Sequence, residues 1–389
     1  MKVITGQFDF IPEYDLRSIC PLEEMLLFDI ETTGLKKETT QLYLIGCAYY
    51  EEGAFHYRQY LTENVRDEAE ALEQFLDFAK DYRVLLHFNG DGFDIPYLQY
   101  KCEYYETDSD LSGFESFDIY KYVRSARNLL GLNSLSQKSL EVFLGVSRED
   151  QLQGGLLIPV YYDYEKTWDP QKEALLLLHN HDDLLGMLKI LPALAYGDLF
   201  QTNVQFDHLE ETSGTAVLSY RLLHRVPRSV TRTFRIKMKS ISLCLTAEED
   251  GKLCETPGIV VRLTGDNLQI LLPIQETTGR VPLENVADYY YLPAEDRVIH
   301  KDLAQFLDRS RKVRATRKNC FLKKEGRFIP HISHISDPEF YLEDCGKIPF
   351  ADWDALLDSL NSTEDEACGS AQKRMDSFAR AVLHYIQAH

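Results

Sequence analysis

Five side chains in the first half of this chain have the types and spacings that hydrolytic chemistry uses. In "MLLFDIETTGL", Met25 to Leu35, Asp29 and Glu31 stand one residue apart at the end of an apolar run. A strand alternates its side chains, so the two carboxylates face one way. Like charges on one face repel unless a cation lies between them. In "LHFNGDGFDIPYL" a strand-like run turns through Asn89, Gly90 and Gly92 into Asp94, which opens a helix with Pro96 in its first turn. In "LLLLHNHDDLLGML" His179 and Asp183 share one face of a helix beside a leucine stripe, while His181 and Asp182 fall off that face.

Four carboxylates within about 4 Å of one another would cost on the order of 4 kcal/mol per pair at an effective dielectric near 20. Divalent cations offset that repulsion. Oxygen ligation without cysteine favours Mg²⁺ or Mn²⁺ over zinc. Two such ions roughly 4 Å apart are the apparatus of in-line phosphoryl displacement. Asp29 and Glu31 are therefore read as spaced to share metal. Thr32 and Asn89 are candidate substrate contacts, although Asn89 equally suits the cap of its own turn.

The elements that must position these groups follow from periodicity. Strands are expected at 25–31, 41–50, 53–60 and 83–88, and helices at 65–80, from 93, and at 171–195 with shorter ones between. That order implies an α/β domain over 1–200, a mixed sheet flanked by helices. The polar stretch 201–215, "QTNVQFDHLEETSGT", reads as a linker. Beyond it, over 216–389, "FRIKMKSISLCLT", "GIVVRLT", "NLQILLP" and "DYYYLP" read as strands of a smaller β-rich α+β module, with helices at 299–310, 350–360 and 371–388.

Composition narrows the class. With 389 residues, 44% of them hydrophobic and 12% aromatic, the chain can bury a substantial core. No apolar run approaches the roughly 18 residues of a membrane span and the first twenty residues do not read as a signal peptide, so the cytoplasm is expected and no membrane partner. Eight cysteines without a C-x-x-C pair signal neither zinc nor disulfides. A net charge of -20 argues on its face against a nucleic-acid partner. The average hides two basic runs, seven Lys/Arg from Arg221 to Lys239 and nine from Arg309 to Arg327. Arg311, Arg314, Arg317 and Lys318, near Tyr289, Tyr290, Tyr291 and Phe321, are candidates for a single-strand groove that pairs cations with phosphates and rings with bases. The alternative is an ordinary solvated face.

Taken together, "FDIETTGL", "HFNGDGFDIPYL" and "HNHDDLLGML" resemble, in order and spacing, the three exonuclease motifs of the DEDD (DnaQ-like) 3′-to-5′ exonuclease superfamily, which has a ribonuclease-H-like fold. The intervening "FESFDIYKYVR", "LNSLSQKSLEVFLG" and "REDQLQGGLLIPVYYDY" are similar to its bacterial YprB-type branch. The resemblance covers about residues 20–197. It implies a two-metal nuclease using Mg²⁺ or Mn²⁺, with Asp29, Glu31, Asp94 and Asp183 as ligands and a single-stranded 3′ end of nucleic acid as partner. One departure stands out: His179 occupies the spacing where the superfamily has tyrosine, and the histidine spacing of the superfamily would put its acid at Leu184. His179 either activates water or packs. The other function class is an inactive nuclease-fold scaffold that binds nucleic acid or a protein.

Overall fold

The computed structural model describes residues 1–389 apart from 150–153, 203, 236–257, 334–337, 343–344, 346–347, 362–364 and 389. The chain divides into two compact units, Met1–Asp198 with Val226–Arg228, and Leu199–Arg225 with Ser229–His389.

The first unit is α/β, a mixed sheet flanked by helices. Its strands are β1 (Lys2–Phe8), β2 (Met25–Thr32), β3 (Leu42–Glu51), β4 (Ala54–Leu61), β5 (Val84–His87) and β6 (Glu115–Asp118), in the order β1-β4-β3-β2-β5-β6. The pairs from β1 to β2 are antiparallel, and β5 and β6 run parallel to β2. Helices α1 (Glu68–Ala79), α2 (Asp94–Tyr105), the short α3 (Ile119–Val123) and α4 (Arg127–Leu130), α5 (Gln137–Leu144), α6 (Gly154–Thr167), α7 (Pro170–Ile190) and α8 (Leu194–Gln201) complete the path. On one side of the sheet Leu26, Phe28, Ile30 and Cys47 pack with Leu72, Phe75 and Leu98 of α1 and α2. On the other side Tyr43, Leu44 and Leu61 pack with Leu157, Tyr161 and Leu176 of α6 and α7. Covered on both faces, β2 reads as the continuous apolar run "MLLF" and shows alternation only where polar residues begin.

Several elements differ from expectation. β1 and β6 lie at the two edges of the sheet and were not foreseen. The helix expected at 171–195 ends at Ile190, where Leu191–Ala193 forms a 3₁₀ turn containing Pro192.

The second unit is β-rich. An antiparallel five-stranded sheet has the order β7-β8-β11-β10-β9, from β7 (Gln205–Thr212), β8 (Thr215–Arg221), β9 (Val230–Arg235), β10 (Gly258–Thr264) and β11 (Asn267–Pro273). After β12 (Gln275–Pro282), β13 (Tyr289–Leu292), β14 (Arg297–His300) and β15 (Val313–Arg314) form a three-stranded sheet. β12 then closes a barrel with β16 (Phe321–Pro330), β17 (Phe340–Leu342) and β18 (Pro349–Asp352). Helices are α9 (Lys301–Ala304), α10 (Trp353–Leu360) and α11 (Asp365–Ala388). Ala371, Met375, Phe378, Ala379, Val382, Leu383 and Ile386 make the buried stripe of α11 at helical spacing.

Residues 205–212 of the expected linker form β7, an edge strand whose side chains are mostly exposed, so its polar composition concealed a backbone-paired strand. The expected helix at 299–310 shrinks to α9 and a 3₁₀ turn at Arg309–Arg311, and the one at 350–360 begins as strand β18. Most of "FRIKMKSISLCLT" lies outside the described residues. Among the described residues no helix is long and apolar enough to cross a membrane.

Candidate active site

Asp29 and Glu31 lie near the end of β2, on the face that meets α7. Register places Asp29 opposite Gly46 of β3, and Gly46 opposite Gln59 of β4. Gly46 leaves the gap that α7 fills: a Cβ there would lie 1.9 Å from Oδ1 of Asn180. Through that gap Nδ2 of Asn180 donates to Oδ2 of Asp29 at 3.1 Å, while Gln59 Nε2 donates to Asn180 Oδ1 at 2.9 Å. Asn180 and Gln59 are both buried. The amide of Asn180 is thereby oriented with its donor toward the acid.

Asp94 arrives from the opposite side. The pairing of β5 with β2 ends at Leu27–Leu86, which releases the backbone further along β2. The chain after β5 reverses through Asn89, in the left-handed region at φ 60°, and Asp94 opens α2. Its Oδ1 accepts from the Ile30 N–H, between the two acids, at 3.3 Å. The carboxylate thus takes the place a continuing β5 would have filled. Burial pushes Asp94 up to about 6, with a smaller contribution from Asp118.

From α7, His179 and Asp183 project toward the same acids. Nε2 of His179 is 3.4 Å from Oε1 of Glu31 and 3.3 Å from Oδ2 of Asp183. One ligand atom from each of these three residues lies within 4.8 Å of the others. Tyr43 OH donates to Oε2 of Glu31 at 3.3 Å and stacks on Tyr161, with ring centroids 4.4 Å apart. Loss of water, then the charges of Asp183, Glu31 and Asp94, push the Asp29 carboxyl well above the usual carboxylate range, against the pull of the Asn180 hydrogen bond.

The remaining expected residues are placed as follows. Thr32 Oγ1 donates to the Gly34 carbonyl at 2.8 Å, inside its own turn. The Asn89 N–H donates to Oδ1 of Asp118 at 2.9 Å, and the residue is exposed. His181 packs against the rings of Phe8 and Tyr57, and Asp182 Oδ2 accepts from the Glu149 N–H at 2.9 Å. A second acidic group, His87, Asp91 and Asp118, sits beside the motif that ends in Asp94. Lys121 Nζ contacts Asp91 Oδ2 at 2.6 Å and supplies its counter-charge.

The basic residues belong to the second unit. Arg311 is 3.6 Å from Glu295, Arg314 lies over the Tyr290 ring at 5.1 Å, and Arg317 and Lys318 are exposed. Lys312 also lies over Tyr290, and Arg280 and Lys323 over Phe321. These rings already carry cations of the chain itself.

Sequence reading missed Asn180, Gln59 and Tyr43. Asn180 alone carried a local signal, its place between His179 and His181 on a helix otherwise rich in leucine.

The fold that holds these acids is RNase H-like, and residues 26–195 match the family model of the RNase_H superfamily. A stretch of 42 residues is 44% identical to DNA polymerase 1 of Sulfurisphaera ohwakuensis, 11% of this chain and 5% of that one. Among solved structures, the family B DNA polymerase of the archaeon Pyrobaculum calidifontis aligns at 12% identity and a TM-score of 0.36, over 92% of this chain and 46% of that one. A product-bound exonuclease I aligns at 11% identity and a TM-score of 0.28, over 63% and 64%. The zinc-bound E. coli ExoI–ssDNA complex aligns at 12% and 0.28, over 92% and 73%. The chain thus spans less than half the length of either polymerase.

Proposed function

We propose that this chain is a metal-dependent 3′-to-5′ exonuclease of the DEDD type, hydrolysing phosphodiester bonds of nucleic acid by a two-metal mechanism at a single-stranded 3′ end. The observation that carries the reading is the approach of Asp29, Glu31, Asp94, His179 and Asp183 to one another from a strand, a helix start and a helix face. The RNase_H match over residues 26–195 supports it.

The residues fit divalent cations. The four carboxylates offer the oxygen ligands that hard cations prefer. Burial first, and then the charges of Asp183, Glu31 and Asp94, hold the Asp29 carboxyl above its usual range, and bound cations would favour its ionised form. Asp29, Glu31, Asp94 and Asp183 would hold two Mg²⁺ or Mn²⁺ ions, which when bound supply Lewis acidity to the phosphate and lower the pKa of water. His179, with Nε2 facing the acids, would accept the proton of the attacking water at that nitrogen. Asn180 and Tyr43 hold Asp29 and Glu31 in place. Arg311, Arg314, Arg317 and Lys318 are the second unit's candidates for phosphate contacts, and Thr32 and Asn89 are candidate substrate contacts of the first.

The test incubates 5′-labelled single- and double-stranded DNA and RNA with Mg²⁺ or Mn²⁺, using Asp29→Asn and Asp183→Asn as controls. A ladder shortening from the 3′ end, absent in both variants, is expected. Asp29→Asn relieves repulsion in the metal-free protein, so its Tm in chelator should stay level or rise, whereas Asp183→Asn also gives up the Arg148 ion pair and should not rise; added Mn²⁺ should raise Tm most in wild type. Internal cuts would overturn the polarity. Mn²⁺ binding without hydrolysis of any strand would favour the scaffold reading.

A further inference from the structure

Beside Asp183 lies a charged assembly that the proposed reaction leaves unexplained. Glu141, on α5, is 2% exposed. After α5 the chain turns back through Gly145, at φ 78°, with the Val146 N–H bonded to the Glu141 carbonyl at 2.8 Å. That turn returns Arg148 to Glu141. Arg148 Nε and Nη2 donate to the two carboxylate oxygens of Glu141 at 2.5 and 2.6 Å. Its Nη1 donates to Oδ1 of Asp183 at 2.6 Å.

The surroundings hold this arrangement. Gln137 Nε2 donates to Glu141 Oε1 at 3.1 Å and to the Asp183 carbonyl at 2.8 Å, joining α5 to α7. Gly186, one turn past Asp183, makes the room: a Cβ there would lie 2.3 Å from Glu141 Oε1. The Glu149 N–H, bonded to Asp182, fastens the segment to α7.

Glu141 and Arg148 already form a neutral two-bond pair, so the third N–H on Asp183 is more than that pair requires. Only a guanidinium can grip one carboxylate with two donors and present a third to another. The contact takes Oδ1 and leaves Oδ2 toward His179 and Glu31. We propose that Arg148 is a positioning residue: Glu141 aims it, and it fixes the Asp183 carboxylate so that Oδ2 is presented to metal. The inference rests on the nuclease reading for the ligand role of Asp183 and goes beyond it in assigning Arg148 and Glu141.

The test measures Mn²⁺ affinity by electron paramagnetic resonance in the full chain without nucleic acid, with cleavage assayed separately. Arg148→Ala should weaken Mn²⁺ binding by about 10- to 100-fold, the scale of lost outer contacts to a ligand. Arg148→Lys should recover part of it. Because Arg148→Ala strands the buried Glu141 carboxylate and threatens the fold, Glu141→Leu/Arg148→Met is the companion, since apolar replacement of a buried pair is tolerated in stability. It should melt near wild type yet bind Mn²⁺ as weakly as Arg148→Ala. Wild-type affinity in the folded double variant overturns the inference, whatever the cleavage result. Mn²⁺ binding that Asp29→Asn and the double variant both weaken, in a protein that cuts no strand, would sink the nuclease reading and leave the role of Arg148 standing.

Discussion

At the scale of single residues, His179 Nε2 lies 3.3 Å from Asp183 and 3.4 Å from Glu31, and in the proposed mechanism it takes the proton of the attacking water. His179→Ala should slow the chemical step by about 10² to 10⁴ with Mn²⁺ affinity nearly unchanged, since the four acids remain. Single-turnover rates and a metal titration check this, and lost affinity would make His179 a ligand instead. His87 supports the turn before Asp94 in another way. Its Nδ1 accepts from the Gly90 N–H at 3.0 Å and Nε2 meets Ser116 Oγ at 2.8 Å, a pattern that suits the neutral ring. Burial lowers its pKa from 6.5, against the charges of Asp118 and Asp91. As pH falls below 6.5 the unfolded chain takes the proton first, so the stability from neutral His87 is complete above that value and lost through its lower folded pKa. His87→Gln should flatten the acid limb of Tm against pH, and an unchanged limb would assign acid sensitivity elsewhere. The D-x-E pair was legible because alternation is local. Gln59 and Tyr43 were not, because only strand register brings them near, and Asn180 had no signal beyond its place between two histidines.

At the scale of elements, the site depends on how closely α7 approaches β3. Gly46 permits that approach, and Gly46→Ala would drive a methyl into Asn180. The variant should lose about 1–3 kcal/mol by overpacking, and cleavage should fall beyond what stability explains as Asn180 leaves Asp29. Denaturant melts with rates at saturating metal separate the two effects; a stable variant with normal rate would show that α7 has slack. Elements with strong periodicity, from β2 to α2, were legible in the sequence. β6 has only four residues and β7 is a polar edge, so their evidence is backbone pairing, which composition does not carry.

At the scale of the whole molecule, a net charge of -20 coexists with the basic run from Arg309 to Arg327. If Arg311, Arg314, Arg317 and Lys318 meet phosphates, changing all four to alanine should flatten the log-log salt dependence of single-strand binding by about 3, at roughly 0.7 per contact. Fluorescence anisotropy across a salt series checks this, and an unaltered slope would return them to a solvated face. Cys47 has a different use. It lies opposite Phe28 on the strand beside the acids, fully buried, its thiol pushed up to about 12 by burial. An alkylating reagent reaches a thiolate there only after the sheet has parted, whereas Cys345 is partly open. Cys47 is therefore an internal clock: its labelling time counts how often the strands beneath the acids separate, and a cation that ties those acids together should make the clock run slow.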